Sequence, residues 1–259
     1  LSFSLTGAGD SLTIDGTNGN PVPTGGITFT GASSGDPLTI NGTATGNDAF
    51  NVSSTSISFG SNLITFSHVS TLTLNPGNGT DSLNVSSGSV TIAARNTGSG
   101  ILVRNFSNIA IASGGIAKFA TVSLQANRML VETTSLSIIG QLDLGGNDMI
   151  VHLGSLSAVN ALLAGGYNNG NWNGNGIDSS AAANNANHLT ALGAISNNTY
   201  YGDANLDGKV DGTDYSRIDN GSFMTLTGWF NGDFNYDNTI NGTDYTLIDN
   251  AYNTQGPAM

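Results

Sequence analysis

The chain has 259 residues, only 9 % of them charged, a formal net charge of −12 and no cysteine. A charged share far below the roughly 25 % of a typical globular chain, filled by Gly, Ser, Thr and Asn, suits turn-rich β architecture and disfavours a helical bundle. Six basic residues offer no stripe to neutralise phosphates, which excludes nucleic acid as a partner, and without disulfides stability has to come from core, repeats or metal.

No apolar run approaches the roughly 20 residues of a membrane-spanning helix. Leu1 opens no signal peptide, which points either to a processed chain or to a soluble piece of a longer one. The charge is uneven: from Tyr200 onward nine Asp face only Lys209 and Arg217, whereas the first 199 residues carry nine acids and four bases. An acidic end on a nearly neutral body suggests cations as partners.

Short strands fill the first two-thirds. The segments "LSFSLTG", "GITFTG", "PLTING", "STSISFG", "LITFSHVSTLTLN", "SVTIAA" and "KFATVSLQA" alternate small or polar residues with Leu, Ile, Val and Phe, and Gly, Asn or Pro punctuates them. This period of two marks half-buried sheet. No aromatic girdles accompany it, so a membrane barrel is not expected.

A weak repeat of the form D-x-[LF]-x-[IV] begins at Asp10, Asp36, Asp48 and Asp81, with a looser copy at Asp148. Asp48 and Asp81 are 33 positions apart, and Asp148 lies 67 further on, close to twice that. Such spacing favours a β-solenoid or β-helix-like body over residues 1–165. The steps of 26 and 12 between the first three copies do not fit it, and a β-sandwich remains the alternative. Each copy reads as a Gly-Asp turn before a strand more readily than as a calcium array, since the dense G-G-x-G-x-D form is missing.

Residues 166–198 read as an Asn/Gly/Ala-rich connector. "GGYNNGNWNGNGID" is expected to hold no regular structure, with Trp172 as a packing anchor. "SSAAANNANHLTALG" suggests a short helix capped by Ser179 or Ser180.

In residues 199–259 a nineteen-residue pattern occurs twice, as "GDANLDGKVDGTDYSRIDN" and "GDFNYDNTINGTDYTLIDN". Counted from the first Asp, positions 1, 3, 5, 7, 9 and 12 are Asp203, Asn205, Asp207, Lys209, Asp211 and Asp214. In the second copy they are Asp233, Asn235, Asp237, Thr239, Asn241 and Asp244. This is the ligand spacing of a twelve-residue calcium loop, with position 7 offering its backbone carbonyl, so two Ca²⁺ ions are expected. Gly208 at position 6 supplies the sharp turn, and Asn238 stands there in the second loop. Val210 and Ile240 at position 8 suggest a short β contact between the loops. Position 12 is Asp where the usual motif has Glu, so the following helix should lie closer. Tyr215 with Ile218, and Tyr245 with Ile248, form one helix face each, and Asn220-Gly221 reads as the end of the first helix. No amphipathic helix precedes either loop.

Two loop–helix halves of the form D-x-N-x-D-x-x-[VI]-[DN]-x-x-D-Y resemble a type I dockerin module. The resemblance implies a small α-helical calcium module that docks onto a cohesin-like β domain, using Gly212-Thr213 or Gly242-Thr243 at positions 10 and 11. More broadly, "LDLGGNDMIV", "GGYNNGNWNGNGIDSSAAA" and "YYGDANLDGKVDGTDY" resemble the C-terminal part of secreted β-rich proteins of planctomycete-type bacteria, which implies export.

Catalytic signals are thin. "GASSG" at Gly31 is followed by no helix and is no nucleophile elbow. His68, His152 and His188 share no metal-ligand spacing. The body holds a single Glu, Glu132, and Asp143 and Asp148 suggest turn chemistry; Arg95, Arg104, Lys118 and Arg128 are its only bases. Asn41, Asn51, Asn78, Asn84, Asn105, Asn197, Asn220 and Asn241 begin N-x-[ST] sequons, which leaves glycans open as partners. The expectation is a secreted, non-enzymatic structural protein that assembles head-to-tail with itself or docks on a cohesin-like domain, with "LSFSLTG" available for strand addition. The alternative is a dockerin-borne polysaccharide-acting enzyme or carbohydrate-binding adhesin.

Overall fold

Segments with an apolar residue at every second position can bury only one face, and this chain buries those faces by passing repeatedly between two sheets. The structure, a computed structural model, describes residues 1–7, 9–94, 100–122, 127–186, 191–194, 200–205, 207–235, 237 and 239–255. The chain divides into two units, Leu1–Leu192 and Gly193–Met259.

In chain order the strands are β1 (Ser2–Ser4), β2 (Leu12–Asp15), β3 (Ile27–Thr30), β4 (Asp36–Asn41), β5 (Ala49–Val52), β6 (Ser56–Phe59), β7 (Asn62–Ser67) and β8 (Val69–Asn75). They continue with β9 (Thr80–Val85), β10 (Gly88–Ile92), β11 (Leu102–Ile111), β12 (Gly115–Phe119), β13 (Met129–Ile138), β14 (Gln141–Asp143), β15 (Asp148–Val151) and β16 (Gly176–Asp178). The helices are α1 (Leu156–Tyr167), α2 (Ser180–Ala183), α3 (Gly212–Phe223) and α4 (Gly242–Thr254). Among the described residues no helix is long and apolar enough to cross a membrane.

The first sheet runs β1-β3-β7-β6-β5-β9-β11-β13-β15 and the second β16-β14-β12-β10-β8-β4-β2. Outside the β5–β6–β7 meander, consecutive strands fall in opposite sheets, so one passage through each makes a circuit, and strands of successive circuits pair in parallel. Among the described pairings only those of β6 are antiparallel. The order is therefore not that of an antiparallel sandwich.

This arrangement explains the uneven repeat. Leu12 pairs with Leu38, which sets Asp10 one circuit before Asp36 in the second sheet. Phe50 pairs with Leu83, which sets Asp48 one circuit before Asp81 in the first. The 12-residue step from Asp36 to Asp48 is the crossing between sheets. The near-doubling to Asp148 is a coincidence, because β15 lies three strand positions beyond β9. The Asp side chains themselves hold turns: Asp36 accepts from Ala32 N at 2.7 Å, Asp48 from Thr43 N at 2.6 Å, and Asp81 from Asp48 N at 2.8 Å.

Parallel register stacks like on like. Ile14, Ile40, Leu74 and Ile92 form one buried column, and Phe50, Leu83 and Ile109 another. Each such side chain contributes about 1.5–3 kcal/mol on burial. Outside the first sheet an amide ladder runs from Ser58 Oγ through Asn51, Asn84 and Asn108 to Ser135 Oγ, with bonds of 2.9–3.1 Å. At about 0.5–1.5 kcal/mol for each bond it adds less than the core, but it opposes a one-residue slip, which would turn every apolar side chain outward.

Several elements differ from the sequence reading. "LITFSHVSTLTLN" is two strands, because His68 at φ 53° turns the chain from the first sheet to the second. "KFATVSLQA" contributes only its first two residues, to the end of β12, and residues 123–126 lie outside the described residues. The ten-residue strands β11 and β13 carry the longest pairing. The supposed connector is partly regular structure: α1 ends at Tyr167, β16 pairs with β14, and residues to Leu192 belong to the first unit. Ser179 caps α2 by accepting from Ala182 N at 3.0 Å. Trp172 is buried and meets Tyr167 edge-on at 5.3 Å. Gly176 N and Asp178 O turn toward β14, so Ile177 O faces the free edge. There α1 lies so close that a Cβ on Gly166 would meet Ile177 O at 1.9 Å.

Burial pushes the Asp81 carboxyl up to about 6 and that of Asp178 up to about 7. In the unfolded chain both return to the ordinary Asp value of about 3.9. Between roughly pH 4 and 7 the folded chain thus holds protons that the unfolded chain releases. The stability they contribute is complete below pH 4 and is lost as pH rises through 7. Thermal unfolding of the first unit should therefore have a higher midpoint at pH 5 than at pH 8, and Asp178→Asn should narrow that difference. An unchanged midpoint across this range would contradict the burial of both groups.

Candidate metal centre

The second unit is built from the two acidic loops and the helices that follow them. Helix α3 starts at Asp211, whose side chain accepts from Thr213 N at 2.8 Å; α4 starts at Asn241, which accepts from Thr243 N at 2.9 Å. Both starts are capping boxes: Asp214 Oδ2 accepts from Asp211 N at 2.9 Å, and Asp244 Oδ2 accepts from Asn241 N at 3.0 Å. Position 12 thus lies on the first turn of its helix. Its other oxygen reaches back to the head of the loop, where Asp214 Oδ1 accepts from Ala204 N at 2.9 Å and Asp244 Oδ1 from Phe234 N at 2.8 Å. A short carboxylate at this position ties loop to helix, and both Asp214 and Asp244 are fully buried.

The loops fold around their polar side chains. Asp203 at position 1 accepts from Asp207 N at 3.0 Å and Gly208 N at 2.9 Å. Asn205 Nδ2 donates to Asp207 Oδ2 at 3.0 Å, and Asn205 Oδ1 accepts from Asp207 N at 3.0 Å. The second loop repeats this with Asn235 and Asp237 at the same distances. Lys209 N donates to Asp207, and Thr239 N to Asp237. Positions 1, 3, 5 and 12 therefore come together in the first loop, and positions 3, 5 and 12 in the second, where Asn235 N also donates to Asp244 Oδ1 at 3.3 Å. Position 9 stands apart as the helix cap: Asp211 is paired with Lys209 Nζ at 2.5 Å, and Asn241 Nδ2 donates to Thr239 O at 3.2 Å. Asn238 lies outside the described residues.

The electrostatics follow the crowding. Burial pushes the Asp203 carboxyl up; backbone N–H groups of Gly208 and Asp207 oppose the shift, while the Asp214 and Asp207 carboxylates add to it. Lys209 and Thr213 hold Asp211 well below the usual carboxylate range. Among the described residues no three His, Cys, Asp or Glu side chains form a group able to hold a metal. The donor chemistry nevertheless suits a hard cation that takes oxygen ligands. One oxygen at the head of the second loop, Asp233 Oδ1, is buried without a hydrogen-bond partner, while Oδ2 accepts from Gly228 N at 3.1 Å. The donors have the oxygen chemistry that calcium takes; were it bound, Asp203, Asn205, Asp207 and Asp214 would hold it in one loop and Asp233, Asn235, Asp237 and Asp244 in the other.

Contacts between the halves are exchanged crosswise. Tyr215 Oη donates to Asp249 at 2.6 Å and Tyr245 Oη to Asp219 at 2.7 Å; burial and then these carboxylates push both phenols up to about 12. Gly202, heading the first loop, lies on Ile248 of α4, and Gly232, heading the second, on Ile218 of α3. Ala204, Val210, Ile218, Phe234, Ile248 and Ala251 form the core between them. The sequence carries this symmetry in its repeated "GD", "DY" and "ID" pairs, but pairing across the halves is invisible until both are folded.

Two expectations fail here. Val210 and Ile240 form no strand pair; Gln255 instead accepts from Val210 N and donates to Val210 O, both at 2.7 Å. A side-chain amide has the same donor and acceptor as a neighbouring strand would offer, and it satisfies the loop without one. Nor does α3 stop at Asn220-Gly221. It runs on to Phe223, and Gly221 is small because a Cβ would meet Asn231 O at 1.9 Å. In the body, Glu132 pairs with His152 Nε2 at 3.2 Å, Asp148 with Arg128, and Asp143 accepts from Gly145 N and Ser180 N.

A Cβ at Gly202 or Gly232 would approach the facing isoleucine to within 2.6 or 2.5 Å, at φ of 105° and 104°. Strain and overpacking together predict that Gly202→Ala and Gly232→Ala each cost about 2 kcal/mol or more. Gly212→Ala and Gly242→Ala, with open space around them, should be close to neutral. Urea unfolding followed by Trp229 fluorescence in a Trp172→Phe background separates the two pairs. Comparison of the chain with protein-family models, curated proteins and solved structures found no match.

Proposed function

We propose that the protein is an extracellular, calcium-binding structural subunit, in which a β-solenoid body carries a dockerin-like module that joins copies head-to-tail into a filament or surface layer. The solenoid reading is supported by circuits that pair in parallel through both sheets. The dockerin-like reading is carried by one observation: two loop–helix halves whose glycines, tyrosines and core isoleucines exchange across the module. Such a pair offers two equivalent docking faces, and Gly212-Thr213 and Gly242-Thr243 are exposed in both.

Bound calcium supplies positive charge among the loop carboxylates, so that its binding free energy becomes folding free energy for a module with a small core. The receiving surface in this reading is the β body of the next copy. The contact is heterologous and closes into a ring only if the rotation permits. Strand β1, paired with β3 along one edge, has no strand on the other among those described, and it supports a contribution from strand addition.

Sedimentation velocity and negative-stain imaging, with calcium and then with EGTA, test this reading. Calcium should give polymers that EGTA disperses, and an Asp203→Ala/Asp233→Ala double variant should stay monomeric in both. Monomers alone at high concentration and saturating calcium would overturn self-assembly and move the docking partner to a separate cohesin-like domain.

A further inference from the structure

The meander β5–β6–β7 is where a circuit departs from single passage, and beside it lies an open groove of about 330 Å³. That volume is at the lower end of the range for small-ligand sites, roughly 300–1,000 Å³. Its floor is the outer face of the second sheet, with Thr71 on β8 and Ser89 and Thr91 on β10. Its wall comes from the meander, with Ser54 after β5 and Phe66 on β7. The wall is held in place: Ser54 N donates to Ser87 Oγ at 3.1 Å and Phe66 N to Thr55 O at 2.8 Å. At one end stands Lys118, exposed on β12 and in register with Thr91.

We infer that this groove binds an acidic oligosaccharide, its ring hydroxyls on the serine and threonine floor and a carboxylate or sulfate on Lys118. The lining chemistry separates this ligand from others. A lipid would need an apolar wall, and here Phe66, Val69 and Leu72 stand among hydroxyls. A metal would need carboxylates, and none of the described residues lining the groove is one. Extended nucleic acid would need several cations, and among the described lining residues Lys118 is the one cation. Serine and threonine hydroxyls both donate and accept, which matches sugar hydroxyls, and the Phe66 ring gives apolar surface for the C–H face of a sugar.

Lys118 is suited to the anionic group. Arg128 is paired with Asp148, and Arg104 is buried with its guanidinium on Gly77 O and Asn75 Oδ1. Lys118 is in no ion pair among the described residues, although Asp143 and Asp178 follow it in register on β14 and β16 and share its field. The chain's net negative charge does not forbid an anion. At physiological salt, exposed charges further off than about 8 Å are largely screened, while contact at Lys118 is direct.

The test is isothermal titration of the full chain in EGTA and 150 mM NaCl with trigalacturonate, an alginate trisaccharide and a chondroitin sulfate tetrasaccharide, beside cellotetraose as the neutral probe. At least one acidic probe should bind, and Lys118→Gln should weaken it by about tenfold. Thr91→Val should weaken it as well, and Lys209→Gln in the second unit should leave it unchanged. Circular dichroism confirms that each variant is folded. Failure of all three acidic probes at millimolar concentration would overturn the inference. So would equal binding of cellotetraose, or acidic binding that survives Lys118→Gln in a folded chain.

Discussion

A strand in a parallel sheet finds its hydrogen-bond partner only one full circuit away along the chain, never in its own turn. Every strand of the first unit other than the meander's is under this constraint, and the rest of the body follows from it. The circuits have to close in register, because the inward residues form columns shared by all of them, such as Ile14, Ile40, Leu74 and Ile92. Once the register is set, outward residues stack too, and they produce the amide ladder through Asn51, Asn84 and Asn108 and the row Thr13, Thr39, Thr73 and Thr91, whose last member lines the groove. A chain with few charges can do this because stacked Ser, Thr and Asn satisfy one another sideways without ion pairs.

The second unit solves a different problem. It has two short helices and a small core, and neither half could bury its own isoleucine. Exchange resolves it: each loop's leading glycine closes over the other half's helix, and each tyrosine donates to the other half's aspartate. The capping carboxylates Asp214 and Asp244 then tie loop to helix within each half. The acidic residues thus have structural work before any metal is considered. That accounts for the regular spacing of Asp203, Asp207 and Asp214, whereas Asp233 Oδ1 in the second loop is buried with no hydrogen-bond partner among the described residues.

Much of this was legible in the sequence, and the failures have physical reasons. Alternation located most short strands, since half-buried strands carry a period of two. It missed β11, where the inward Arg104 breaks the apolar pattern because buried backbone and amide oxygens receive its charge, and β13, where the inward Thr133 donates to Ser135 O. The end of helix α1 was hidden because its Gly165 and Gly166 read as a turn, whereas they are there for close approach to Asn175 and Ile177. The loop-then-helix order of each half could be read from spacing alone. The crosswise contacts, the Gln255 clamp and the groove could not, because each depends on residues brought together from distant parts of the chain.

The irregular circuits bear on how such a body can change over time. From Thr73 to Thr91 the next strand of the second sheet is reached in 18 residues, while from Gln141 to Gly176 it takes 35, with α1 inserted on the way. Yet the pairing on either side is in register. Length is therefore free at the corners, while the strands take only single-residue shifts, as at Ser107 in β11 and Ser70 in β8. A body of this kind can change by what is grafted at its bends, as with α1, or by strands added within a sheet, as with the meander, whose β6 stands between β5 and β7 and pairs antiparallel with both.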